Sequence, residues 1–327
     1  MSVGIVATGR YVPEGVMSNH AVAEVAGTSV DWIVGATQMN ERRYAADSQA
    51  TSDLAIAAVR DLVERTPGAL EGVRAVIVAT STPDKPQPAT AAIVLDALGL
   101  KDAFAFDMNA VCAGSLFAME VGAGIVKAGG PRARVLVIGA DRYSGILDRS
   151  DKRTLSILGD GAGAVVLSRV PDGYGILHSS HITHGEFQDA VQVRAGGTRL
   201  PLTAEGIQAG DQYFRMDGRA VRAYVEAILP PLILRVVKES GLSIDDISRF
   251  VFHQANPKLL RLLASTLQVE TERVPITADR YGNSGAASML VTLAESTSSS
   301  TIVRGEHLVL AAVGGGLSTG VMTLKWF

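Results

Sequence analysis

The sequence predicts an α/β protein made of two similar halves, and three observations carry that prediction. Apolar residues at helical spacing alternate with short buried β-branched runs along the whole chain. The same series of elements then recurs, in the same order, in the second half. The composition suits a large core or a subunit that also buries surface against a partner: 327 residues are 47% hydrophobic and only 19% charged, against a usual ~25%. At roughly 100–200 residues per domain, this length suggests two units.

In the first half, residues 53–64 have helical spacing, with Thr51 or Ser52 placed to cap them. Residues 75–80 (AVIVAT) read as a strand buried on both faces. Residues 110–127 are again helical, and residues 134–139 (RVLVIG) form a second buried strand. Buried strands alternating with helices imply a mixed or parallel sheet covered on both sides. The second half runs through a helix at 221–239, a strand at 249–252 (RFVF) and a helix after Asn256-Pro257, where proline suits the first turn. The turn Gly282-Asn283-Ser284-Gly285 opens a helix from Ala286, and the strand 308–313 runs into Gly314-Gly315-Gly316. The halves align directly: VRAVIVATSTP with ISRFVFHQANP, DMNAVCAGSLFAM with DRYGNSGAASMLV, RVLVIGAD with HLVLAAVGGG. A join near Pro171-Asp172-Gly173 divides the chain into 1–172 and 173–327. Residues 185–218, rich in Gly and Gln and weakly periodic, read as a long insertion, which in a compact domain is often functional.

Composition also excludes. A net charge of −3 is too small, and of the wrong sign, to hold nucleic acid or an anionic membrane by bulk charge. Uninterrupted apolar stretches run to about ten residues, short of the ~20 of a membrane span. The first residues lack the basic flank and apolar region of a signal peptide, so a soluble cytoplasmic protein is expected. The single cysteine, Cys112, excludes an intrachain disulfide and zinc sites built on several cysteines.

A lone cysteine is ordinarily a small buried hydrophobe. Cys112 differs by standing at a strand-to-helix corner, where a helix N-terminus favours the thiolate. It is therefore expected to be more ionised than a free cysteine of pKa ~8.5. His253 ends a buried strand, where ligands bind in α/β sheets. Asn283 holds in the second half the corner that Cys112 holds in the first. A pseudo-two-fold relation would bring these three to one centre, with a nucleophile and two donors sufficient for acyl transfer. The glycine triplet lacks the context of a phosphate loop. It reads instead as close backbone approach to a reactive centre.

The segments FDMNAVCAGSLFAM, LGDGAGAVVL, FHQANPKLL, YGNSGAAS and GGGLSTG, in this order and spacing, resemble the β-ketoacyl-acyl-carrier-protein synthase III family of thiolase-fold condensing enzymes across essentially the whole chain. The resemblance implies a thiolase-like duplicated αβαβα fold of five layers, a homodimer, and no cofactor beyond the thioester substrates themselves. It implies that Cys112 carries the acyl group, that His253 and Asn283 hold a malonyl thioester as it loses CO2, and that the backbone N–H groups of Cys112 and Gly315 form the oxyanion hole. It implies an acyl-coenzyme A or acyl-carrier-protein thioester as donor, with phosphopantetheine entering past Trp32, Lys152, Arg153, Arg222 and Lys258. Trp32 matches the family's aromatic clamp, but the cationic partner four residues on is Ala36. The family's frequent Lys near Ala223 is replaced by the adjacent Arg222, and the partner-donated floor of the acyl pocket falls near Gln87-Pro88 without its usual aromatic. These departures favour a specialised role such as polyketide priming, with acyl carrier protein as partner. Two other readings stay open: transfer of the acyl group to a hydroxyl or amine without condensation, and a non-catalytic dimer subunit.

Overall fold

The computed structural model describes residues 2–327. Its strands are β1 (Ser2–Tyr11), β2 (Gly15–Ser18), β3 (Glu41–Tyr44), β4 (Val73–Ala79), β5 (Phe104–Met108), β6 (Arg134–Arg142), β7 (Asp160–Val170), β8 (Gly175–Thr183), β9 (Val191–Val193), β10 (Phe214–Met216), β11 (Ile247–Phe252), β12 (His307–Gly314) and β13 (Ser318–Lys325). Of the two larger sheets, one has the order β1-β7-β6-β4-β5 and the other β11-β12-β13-β8; β2 pairs with β3 and β9 with β10 in two-stranded ribbons. Read from β8, the second repeats the first four positions of the first. The directions repeat too. β4 is parallel to β6 as β11 is to β12, the other pairs among these four positions are antiparallel in both sheets, and β5 adds a further parallel strand at the edge of the first. Strands of the first sheet end at Val170, and β8 of the second begins at Gly175.

Five layers follow from where the helices pack. Gly114–Ala128 and Ala287–Ser298 lie between the sheets. Leu116, Met119, Met289 and Leu290 share one buried cluster with Val135 and Val165 of the first sheet and with Leu310 and Met322 of the second. Thr51–Arg65 covers the outer face of the first sheet, through Leu54, Ala58 and Leu62. Gly218–Glu239 and Pro257–Thr266 cover that of the second, through Ile233, Val236 and Leu260. Helices facing two sheets at once must be apolar nearly all round. This explains why the stretch 111–128 is long and apolar enough to cross a membrane by length and composition while lying largely inside the protein. The expectation of apolar stretches no longer than about ten residues overlooked this helix, because interspersed Gly, Ser and Glu break the run without breaking its hydropathy.

Two further expectations need correction. The first outer helix is capped at Ala50, not at Thr51 or Ser52: Asp53 Oδ2 accepts the Ala50 N–H at 2.8 Å, and Ser52 Oγ instead donates to Asp84 at 2.6 Å. Residues 185–218 are not an unstructured insertion. They carry the β9–β10 ribbon and the helix Ala204–Ala209, capped by Thr203. These elements are too short to show a period, but they send Val191, Phe214 and Met216 into the central cavity.

Candidate active site

The chain reaches Cys112 through a sharp corner. β5 ends at Met108, Val111 adopts φ +48°, and a short turn over Val111–Ala113 leads into the helix Gly114–Ala128. A left-handed β-branched residue is unfavourable by itself and persists only where its surroundings hold it. The hold comes from the other half. A Cβ on Gly314 would run into the Ala110 carbonyl oxygen and lie 2.7 Å from the Ala113 nitrogen and 2.9 Å from the Cys112 nitrogen. The glycine triplet thus acts by close approach, as expected, with Gly314 as the residue that touches the corner.

Asn283 is positioned by backbone on both sides. Its N–H donates to Ile157 O, and its carbonyl accepts the Gly159 N–H, each at 2.9 Å. Its side-chain Oδ1 accepts the Gly285 N–H at 2.9 Å, which leaves the amide NH2 as the group free to donate. Gly285 has φ +56°, and a Cβ there would strike Asp141 Oδ2. His253 follows β11 directly. Its N–H donates to Ala311 O at 2.8 Å and its Nδ1 lies 2.7 Å from Ser288 Oγ, on the central helix. Burial pushes the His253 pKa down to about 4, with a backbone bond to Gly285 acting weakly against it, so the ring is neutral at pH 7.

Cys112, His253, Asn283 and Gly315 line one cavity of about 80 Å³, walled by apolar side chains including Val191, Phe214 and Leu260. The expectation of an acidic thiol is overturned. Burial first, and the Asp141 carboxylate second, push the Cys112 thiol up to about 12, against a hydrogen bond from Tyr143 and the local backbone that lower it. The helix N-terminus remains, but charging a half-buried sulfur in an apolar cavity costs more than that terminus returns.

Sequence reasoning missed the polar group behind the sulfur. Asp141, fully buried at the end of β6, accepts from Ser81 N–H at 2.8 Å, Ser81 Oγ at 3.0 Å, Thr82 Oγ1 at 3.1 Å and Thr80 Oγ1 at 3.2 Å. Its second oxygen accepts the Ala286 N–H at 2.8 Å, tying the halves together. Burial pushes Asp141 up to about 6 against these donors. Tyr143, 1% exposed, places its hydroxyl 2.8 Å from Ser81 Oγ. The available signal was a carboxylate closing an otherwise apolar strand, since a buried charge must be met by partners.

An outer groove continues from the cavity, sharing Val221, Leu259 and Asn283 with it and passing Arg222, Lys258 and Ala36. Beyond it lies a wider cleft between Trp32, Arg153, Arg215 and Arg219. Lys152 Nζ sits 4.6 Å above the Trp32 ring. Lys258 Nζ donates to Gly35 O at 2.8 Å, Arg222 Nε to Glu226 Oε1 at 2.6 Å, and Arg261 to Gln38 Oε1. Of the binding residues expected from sequence, Trp32, Arg153, Arg222 and Lys258 line this groove and cleft and Lys152 sits over the Trp32 ring, while Arg215 and Arg219 line the cleft beside them.

Two family profiles match the chain: 3-oxoacyl-[acyl-carrier-protein] synthase III over residues 106–185, and the C-terminal part of that synthase over residues 237–326. An acetoacetyl CoA synthase of Streptomyces sp. (strain CL190) is 44% identical over 324 residues, covering 98% of both chains. A β-ketoacyl-[acyl-carrier-protein] synthase III of Deinococcus radiodurans is 38% identical, covering 100% of this chain and 95% of that protein. The crystal structure of the Thermus thermophilus synthase III superposes with a TM-score of 0.93 at 38% identity, covering 99% of each chain. The priming β-ketosynthase of a polyketide biosynthetic pathway superposes with a TM-score of 0.91 at 25% identity, covering 99% of this chain and 96% of that one.

Proposed function

The chain belongs to the 3-oxoacyl-[acyl-carrier-protein] synthase III family, and from that membership we infer that it catalyses decarboxylative Claisen condensation of an acyl thioester with a malonyl thioester. The observation that carries the reading is the convergence of Cys112, His253 and Asn283 on one cavity from the two halves. Cys112 sulfur attacks the acyl carbonyl, the carrier thiol leaves with the sulfur's proton, and an acyl-Cys112 forms. The N–H groups of Cys112 and Gly315 hold the tetrahedral oxyanion. A malonyl thioester then enters, and its carbonyl oxygen takes hydrogen bonds from the Asn283 amide and from His253. Ser288 Oγ already accepts the Gln254 N–H at 3.1 Å. In this mechanism Ser288 Oγ donates its own proton to Nδ1, so that neutral His253 carries its proton on Nε2 and donates it to the substrate oxygen. Loss of CO2 yields an enolate on that oxygen. Its carbon attacks acyl-Cys112 and expels the sulfur, releasing a 3-oxoacyl thioester.

The likeness to an acetoacetyl CoA synthase supports a short, acetyl-sized acyl group. The partner is a second copy of the chain. β5 is an edge strand with Phe104 54% exposed and stacked on Phe106, an open edge that pairing would cover. Gln87 and Pro88 are exposed and would extend into the second copy's pocket.

The two half-reactions test the assignment separately. His253→Ala and Asn283→Ala should still load an acyl group on Cys112, seen by intact mass, while CO2 release falls by about 10²–10³-fold, the usual cost of one oxyanion donor. Loading without CO2 release in the unaltered protein, with the acyl group appearing on a hydroxyl or amine, would replace condensation by simple transfer. On pre-acylated protein, condensation should persist as pH falls through 6.5 and fail near 4, because the depressed His253 pKa keeps the ring neutral down to that point. An acid limb near 6.5 would contradict it.

The path past Arg222 and Lys258 is the proposed route for a phosphopantetheine thioester, and its basic rim the dock for an acidic carrier protein. Both side chains are tethered only at the surface, Arg222 being 57% exposed in its pair with Glu226. Such pairs contribute ~0–1 kcal/mol, so Arg222→Glu and Lys258→Glu should fold normally. Turnover with malonyl carrier protein should fall, more so at low salt. Turnover with an N-acetylcysteamine thioester should change little. Equal losses with both would remove this rim as the dock.

A further inference from the structure

The backbone of Asn283 is held by a segment outside its own half of the chain. Its N–H donates to Ile157 O, its carbonyl accepts the Gly159 N–H, and Leu158 pairs with it as an isolated parallel bridge. Residues 156–159 also wall the approach to the site. Ser156 and Ile157 line the outer cleft, Ile157 the groove and Leu158 the cavity. Behind this segment stands Arg42 of β3, with 0% exposure. Its Nη2 donates to Ser156 O, and its Nη1 to Asn19 Oδ1 at 2.8 Å and Met17 O at 3.2 Å. All three acceptors are neutral. Burial pushes the Arg42 pKa down to about 10, so the guanidinium is charged at pH 7. Burying a charge is costly even where hydrogen bonds meet it. What this one supplies is reach: two nitrogens of one rigid plane join residues 17 and 19 to residue 156, 114 positions beyond Arg42. The stem is as closely placed as the head. A Cβ on Gly282 would lie 2.6 Å from Arg42 Cβ, and one on Gly159 3.4 Å from it. Arg42 therefore packs behind the residue that precedes Asn283 and behind the residue that bonds its carbonyl.

We propose that Arg42 is a positioning residue for the decarboxylation step: by fixing the Ser156 carbonyl and packing behind Gly282, it sets residues 156–159 against Asn283 and so sets where the Asn283 amide stands. Two supports then act on that amide in different ways. The bond from Gly285 N–H to Oδ1 fixes how the amide is turned, and Arg42 fixes the backbone from which it projects. Cys112 lies outside this support, because its corner is shaped by Gly314. The two half-reactions therefore depend on Arg42 unequally. This proposal rests on the reading of Asn283 as a donor to the malonyl carbonyl.

The test is a double-mutant cycle on the full-length protein. Arg42→Lys keeps the charge but offers one nitrogen in place of two, so it cannot hold Asn19 and Ser156 together. Displacing a reacting group by about 1 Å can cost about 10²-fold, and a partial shift is expected here. CO2 release from a saturating malonyl thioester should fall about tenfold. Acyl loading of Cys112 at saturating donor, read by intact mass, should change by less than about twofold. In an Asn283→Ala background the same Arg42→Lys change should cost less than about twofold in CO2 release, because the group it positions is already gone. A general loosening of the fold would instead slow loading as well and would act equally in both backgrounds. Equal losses in the two half-reactions, or an undiminished Arg42→Lys effect without Asn283, would overturn the proposal. So would an Arg42→Lys protein with normal CO2 release. If Arg42→Lys does not fold, Asn19→Ala decides in the same cycle: it removes one of the acceptors that anchor the guanidinium, and its expected loss is about threefold, again confined to CO2 release and again absent without Asn283. If Asn283→Ala alone released CO2 at the unaltered rate, the reading of Asn283 would fail and the proposal with it, a result separate from additive losses.

Discussion

Cys112→Ala should yield a folded protein that acquires no acyl mass from any thioester and forms no 3-oxoacyl product, with turnover lower by at least about 10⁴-fold, as for other removed nucleophiles. The fold should survive because the change removes one half-buried sulfur and leaves a small void, worth about 1 kcal/mol. The malonyl half-reaction separates the nucleophile from the rest of the site. In the proposed mechanism decarboxylation uses His253 and Asn283 and needs no sulfur. CO2 release from a malonyl thioester should therefore persist in this variant without condensed product. Cys112→Ser should also fail to transfer, since a hydroxyl in this cavity is still harder to ionise than the thiol. An alanine variant with undiminished condensation would require another nucleophile altogether.

Gly314→Ala is expected to do more damage than its one carbon suggests. The added Cβ meets only backbone: the Ala110 carbonyl and the nitrogens of Cys112 and Ala113. None of these can turn aside as a side chain could. Overpacking of this kind typically costs 1–3 kcal/mol, and the rigid neighbours put this site at ~3 kcal/mol or above. The corner that does move is the one bearing Cys112, and misplacing a reacting atom by about 1 Å can cost about 10²-fold in rate. Gly124→Ala, on the exposed side of the same central helix with nothing near its new Cβ, is the control. It should be neutral or stabilise by up to ~1 kcal/mol. Thermal unfolding and acyl loading of the two variants check both effects. A Gly314→Ala protein with normal melting and loading would mean the corner tolerates displacement.

The duplicated fold was legible because both halves keep the same alternation of elements, and the equivalence of the Cys112 and Asn283 corners followed from aligning them. His253 was legible from its place at a strand end. What escaped was set by contacts between the halves. Nothing near Asp141 in sequence says that the N–H of Ala286, 145 positions on, completes its coordination. Tyr143 looked like an ordinary residue after a strand, because the chain does not show that its hydroxyl meets Ser81, 62 positions back. The thiol was misjudged for a related reason. A helix N-terminus is readable from sequence, whereas the burial that opposes it is a property of the assembled cavity. In residues 185–218, three-residue strands and a single short helix fall below the length at which period can be detected. The cap of the first outer helix moved one position because Asp53 serves the Ala50 N–H while Ser52 is engaged by Asp84.

The contacts across the centre are reciprocal. Gly314, in the second half, supports the turn that presents Cys112. Gly139, in the first, lies where a Cβ would run into the Ala286 carbonyl oxygen at the start of the second central helix, and Asp141 beside it binds the Ala286 N–H. Each half therefore serves as the mould for the other's corner. During folding, a half that has collapsed alone lacks the surface that forces Val111 into its left-handed conformation and orients the sulfur. The geometry of the proposed site then becomes a late property of the molecule, appearing only when the two halves dock. A nascent or partly unfolded chain would carry its one cysteine as an ordinary thiol, without the geometry to capture an acyl group before there is a partner to receive it.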